Sequence, residues 1–243
     1  MRRMLGLAVV ALLALAVVGP AARAGKKEKT VDKIWVHPEV DRFGVSRIAL
    51  LPVVTYDNDF KTEGTVETAI GPALVRAGYR WVSATSVRGI LREGDNDSVL
   101  KAVRVLLQKD PRVDSLQAIG LCTRLHCDAI LGVRVDQWEQ QDIPYDQSGK
   151  PTTSIHLSAA LVDSTGALLW SALGAQTLEG PYHDANAGLI GAKASGLDLT
   201  PVTGQGGPPS FDEALTQLFK RWSTAFPAKR TAAAADSAPA PAH

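Results

Sequence analysis

The sequence lacks a strong charge of either sign. Lys and Arg number 26 against 25 Asp and Glu, a net charge of +1, which excludes a strongly basic nucleic-acid-binding class. It also lacks a membrane-length apolar run. The stretch Leu5–Val18 falls short of the ~20 residues that a spanning helix needs. The short signatures of common catalysts are missing too. The chain has no G-x-x-x-x-G-K-[ST], no G-x-G-x-x-G after a strand, no H-E-x-x-H and no G-x-S-x-G. Ser98-Val99-Leu100-Lys101 fits S-x-x-K, but its K-T-G companion fails because Lys61-Thr62-Glu63 breaks at the third place.

Cysteine is scarce: Cys122 and Cys127 are the only two. Their spacing admits a disulfide if a helix ends between them, in a compartment that permits one. The closed loop is small, so the gain is on the order of 2 kcal/mol. Two free thiols are the alternative. His126 could join them on a metal, but the usual zinc spacings and a fourth ligand are absent. The expectation is no metal and no cofactor.

What is present begins with a processing segment. Met1-Arg2-Arg3-Met4 is a basic start, Leu5–Val18 an apolar core, and Ala22-Arg23-Ala24 a small-x-small cleavage pattern. This predicts a signal peptide over 1–24, cut after Ala24, and a periplasmic or secreted protein with no transmembrane span after removal. Losing Arg2, Arg3 and Arg23 takes the net charge from +1 to about −2. A basic lead-in over 25–44 follows, carrying Lys26, Lys27, Lys29 and Lys33. Within it Ile34–Pro38 reads as an extended segment laid on the domain, since Pro38 disfavours helix at His37. Residues 228–243 form an Ala/Pro tail with no core-forming capacity.

Between them, 45–227 reads as one α/β domain. Ile48-Ala49-Leu50-Leu51 is a continuous apolar run, the mark of a strand covered on both faces. Helices are expected over Thr65–Ala77, with a kink at Gly71-Pro72, and over Thr85–Glu93 and Val99–Gln108. A further helix from Asp114 to about Leu125 should face inward through Leu116, Ile119, Gly120 and Cys122, with Gly120 packed against the sheet. Strands are expected over Ala129–Trp138, Thr152–Val162 and Leu168–Thr177, the last two joined by the Asp163–Gly166 turn. Residues 180–209 read as a long loop, and Ser210-Phe211-Asp212-Glu213 as a capping box opening the final helix. The resulting expectation is a single three-layer domain. Its mixed sheet has about five strands, in the order β-α-β-α-α-β-β-β-α, with an antiparallel meander at its C-terminal end.

Candidate site residues are few. Asp57 and Asp59 follow the first strand, at the carboxyl edge where open α/β sheets bind ligands; their other reading is as turn formers. His156, in mid-strand, could pair with Asp136 on the neighbouring strand, as a structural pair rather than a general base.

Three stretches carry a resemblance to a group of bacterial envelope proteins. They are Arg47-Ile48-Ala49-Leu50-Leu51-Pro52-Val53, Cys127-Asp128-Ala129-Ile130-Leu131-Gly132-Val133, and Leu161-Val162-Asp163-Ser164-Thr165-Gly166-Ala167-Leu168-Leu169-Trp170. The group includes the curli-secretion lipoprotein, the outer-membrane activator of penicillin-binding proteins, the N-terminal domain of the Tol-system propeller protein and related lipoproteins. The resemblance implies assembly, secretion or scaffolding with other envelope proteins as partners, and it supplies no catalytic residues. The chain departs from the group in lacking a lipobox cysteine. The expected function is therefore a non-enzymatic exported accessory component. The alternatives are a periplasmic hydrolase with its site at the carboxyl edge, or a small-ligand-binding protein lidded by the 180–209 loop.

Overall fold

The computed structural model describes residues 32–93, 97–144, 146–185 and 207–229. The leader, residues 25–31 of the basic lead-in, most of the 180–209 loop and nearly all of the tail lie outside them.

The apolar run and its neighbours form strands β1 (Lys33–Val36), β2 (Arg47–Leu50), β3 (Val54–Thr55), β4 (Arg80–Val82), β5 (Ala129–Gln141), β6 (Thr152–Asp163) and β7 (Leu168–Glu179). Helices α1 (Phe60–Arg76), α2 (Ala84–Arg92), α3 (Ser98–Lys109), α4 (Ser115–Leu125) and α5 (Phe211–Ser223) connect and cover them. The sheet order is β1-β7-β6-β5-β2-β4, with β3 also beside β5. β2 is parallel to β4 and β5, and β3 is parallel to β5. The run β5-β6-β7-β1 is antiparallel.

The α/β class and the antiparallel meander stand as the pattern predicted. The sheet has seven strands, not about five. One addition is β1, where Lys33–Val36, overlapping the expected extended segment Ile34–Pro38, docks on the edge of β7. The other comes from Pro52. Lacking an N–H, it interrupts the opening strand, and β2 and β3 pair with β5 as separate pieces.

The two faces carry separate cores. α1 and α5 press Val66, Ile70, Leu74, Leu215, Leu218 and Trp222 onto one. α2, α3 and α4 press Val87, Leu91, Val103, Leu107, Leu121 and Leu125 onto the other.

Two helices differ from expectation. α1 starts at Phe60, ahead of Thr65, because Asp59 accepts from the Lys61 and Thr62 N–H groups and caps it. It is one continuous helix across Gly71-Pro72, with Pro72 exposed. Gly71 is where Trp81 lies against the helix: a Cβ there would stand 2.6 Å from Trp81 Cζ2. α4 is turned to the other apolar stripe that its sequence offers. Ala118, Leu121 and Leu125 are buried together with Cys122, which faces inward as expected, whereas Leu116 is 84% exposed and Ile119 faces out with it. Gly120 meets nothing within 4 Å, so it makes no close packing against the sheet.

Candidate interaction surface

The carboxyl edge of the parallel strands is closed from within. α1 brings Glu63 and Glu67 over it. Arg104 of α3 donates to both Glu63 oxygens, at 2.9 and 2.6 Å, and Glu63 is 0% exposed. Arg88 of α2 grips Glu67 in the same two-handed way, and Glu67 Oε1 also accepts the Val53 N–H at 3.1 Å. Asp59 is spent on the helix cap. The Thr62 hydroxyl, at 2.6 Å, and the Lys61 N–H hold its carboxyl below the usual range. Asp57 Oδ1 accepts the Asp59 N–H at 3.2 Å.

The opposite half of the sheet is open on one face. Alternation along the meander puts four cross-strand rows on that face. Trp35, Ser171, Ala160 and Gly132 make one row, and Lys33, Leu173, Ser158 and Arg134 the next. Ala175, His156 and Gln137 follow, then Thr177, Ser154 and Glu139. Helix cover ends at Arg134, whose guanidinium donates to the Lys109 carbonyl at 2.6 Å and so caps the C-terminus of α3. Beyond it lies an open groove of about 650 Å³ between the α3–α4 connection and β1. Ser158, Ala160, Ser171 and Leu173 line it, and Asp110, Arg112, Lys33 and Trp35 border it. Trp35 is 43% exposed, and the buried Ser158 hydroxyl has no protein partner.

The outer edge of β7 past β1 is blunted. Arg221 pairs with Asp32 at 2.7 Å and donates to the Ala175 carbonyl at 2.9 Å, which occupies an outward acceptor of the strand.

His156 stands on the open face, two positions from Ser158. Its expected pairing with Asp136 is not made. β5 carries a bulge between Val135 and Gln137, which sets Gln137 opposite His156. Asp136 instead accepts from Arg134 Nε at 2.6 Å. Among the described residues no hydrogen bond or ion pair joins His156 to Asp57 or Asp59.

Cys122 and Cys127 are both buried at the end of α4, where His126 takes a left-handed conformation at φ 50°. Both carry free thiols. The hydrogen bond to Cys127, reinforced by burial, pushes the Cys122 thiol well above its usual range. Among the described residues no group of His, Cys, Asp and Glu is arranged to hold a metal ion.

Sequence reasoning passed over Trp35, Ser158, Glu63 and Arg104. The clue for Trp35 was its alternation with Lys33 beside the apolar Ile34 and Val36. Glu63 and Arg104 are 41 residues apart and carry no local signal.

No protein-family model and no curated protein matches the chain. Among solved structures it is similar to lipoprotein GNA1162 from Neisseria meningitidis, at 22% identity and a TM-score of 0.42, over 62% of this chain and 94% of that one. It is similar to the hypothetical protein CT253 from Chlamydia trachomatis at 11% identity and a TM-score of 0.39, over 74% and 96% of the two chains. The C-terminal domain of LpoB from Salmonella enterica follows at 16% identity and a TM-score of 0.31, over 54% and 82%.

Proposed function

We propose that the chain is an exported, non-enzymatic accessory protein of the cell envelope. It binds another envelope protein through the uncovered face of the β5-β6-β7-β1 meander. The observation that carries this reading is that groove: a floor of small residues, a half-exposed Trp35 at the rim, and charges of both signs around it. An aromatic anchor beside small residues, with a polar border, is the composition of a protein interface. His156, Ser154 and Thr177 extend the same face and supply hydrogen-bonding groups. Export is supported by the basic, apolar and small-residue order of Met1–Ala24. Among the described residues no helix is long and apolar enough to cross a membrane. The Arg104–Glu63 and Arg88–Glu67 pairs favour this reading over a hydrolytic site at the carboxyl edge, because they commit both inner carboxylates to holding α1 against α2 and α3.

The test is affinity capture of the mature chain from its own envelope, alongside the variant Trp35→Glu. A partner recovered by the parent and lost by the folded variant supports the reading. A partner recovered equally by both, or none above background, overturns it.

A further inference from the structure

A second cavity, of about 300 Å³, lies on the other side of the sheet, between α1 and α5. It sits at the small end of the ~300–1,000 Å³ range of ligand sites. Its floor is Leu131, Val133 and Ala159 from β5 and β6, all buried. Ala73 and Ala77, on the side of α1 that lines the cavity, are too short to fill the space toward α5. The interior is therefore built for an apolar body.

One feature gives that body a polar end. Arg76 lines the same cavity and is exposed at its mouth. No carboxylate among the described residues pairs with it.

We propose that this cavity binds a free medium-chain fatty acid, its alkyl chain against the β5–β6 floor and its carboxylate taken by Arg76. Apolar walls and a cation at the mouth match the two parts of such a molecule. The site is separate from the groove proposed for protein docking, and either can fail alone.

The experiment is calorimetric titration of the purified mature chain with sodium decanoate, with 1-decanol in parallel. The expected result is saturable binding of decanoate below its micelle concentration. Ala73→Leu should fill the cavity and abolish binding with the thermal midpoint held or raised. Arg76→Gln should weaken decanoate by about tenfold or more, the effect of losing a charged hydrogen-bond partner, and leave decanol unchanged. Absence of saturable binding to the parent overturns the proposal, as does a folded Ala73→Leu variant that binds as well as the parent. Cosedimentation with phosphatidylglycerol vesicles that decanoate does not compete away would overturn the assignment to a free acid.

Discussion

Arg104 and Glu63 are joined by two hydrogen bonds, Nη1 to Oε2 at 2.9 Å and Nη2 to Oε1 at 2.6 Å, across 41 residues of chain. The carboxylate is fully buried, and the guanidinium keeps a little solvent contact. Removing the cation would strand a buried charge. Arg104→Ala is expected to cost about 3 kcal/mol in urea unfolding, the low end for breaking such a pair because Arg104 is partly hydrated. Replacing both residues by leucine should recover most of the loss, since apolar pairs of similar volume often substitute for buried ions.

Asp128, one residue before β5, ties that strand to the start of β2. Its Oδ2 accepts the Ser46 N–H at 2.9 Å, the Ser46 hydroxyl at 3.0 Å and the Arg47 N–H at 2.9 Å. Burial pushes the carboxyl up, but these donors outweigh it and hold it below its usual range. A depressed folded value means that the stabilisation is complete above the unfolded value of about 3.9 and is lost as pH falls through the folded one. Asp128→Asn should therefore be less stable than the parent at neutral pH by on the order of 1 kcal/mol. The difference should shrink as denaturation is followed to pH values below about 4.

Gly132 and Gly166 are places where the backbone itself is the packing surface. A Cβ on Gly132 would stand 2.2 Å from the Pro111 carbonyl oxygen, and one on Gly166 would stand 2.3 Å from Ser115 Cα. Gly166 also has φ +89°, closing the turn in which Asp163 accepts the Thr165 and Ala167 N–H groups at 3.0 and 2.7 Å. Gly132→Ala is expected to cost about 1–3 kcal/mol by overpacking. Gly166→Ala should cost more, because conformational strain adds to the clash. Thermal denaturation of the two variants checks the order. Gly120→Ala is the control: exposed in mid-helix and touching nothing, it should gain up to about 1 kcal/mol.

The adjacency of Cys122 and Cys127 predicts a chemical difference between compartments. Two buried thiols that interact at a helix end are placed to oxidise once exported. The mature chain isolated from the envelope, unfolded and alkylated without reductant, is expected to take up no label at either cysteine. The same chain made in the cytosol should take up label at both. Oxidation should raise stability by about 2 kcal/mol.

Much of this fold was legible because its signals are local. Ser210 caps α5 through the Glu213 N–H at 3.2 Å, as the capping box required. The alternation of β6 and β7 placed the meander, and the Asp163–Gly166 turn was recognisable from its residues. The failures have physical causes. α4 carries two apolar stripes, and only the helices beside it decide which is buried. The first turn of α1 is polar, with Thr62 turned to the cap at Asp59 and Glu63 held by Arg104 far along the chain, so periodicity started the helix late. The pairing of His156 was misread because the bulge at Asp136 shifts the register by one residue. The open groove could not be read at all: it exists because the helices stop at Arg134 while the sheet continues to β1.

The central claim is that the open meander face is where a partner binds. It is tested most directly by placing a photo-crosslinking amino acid at Trp35 or Leu173 on that face, and at Val105 on the exposed side of α3, followed by irradiation of intact cells. The account predicts a discrete adduct with one envelope protein from the first two positions and none from the third. Adducts of equal yield from all three positions, or none from Trp35 and Leu173, would contradict it.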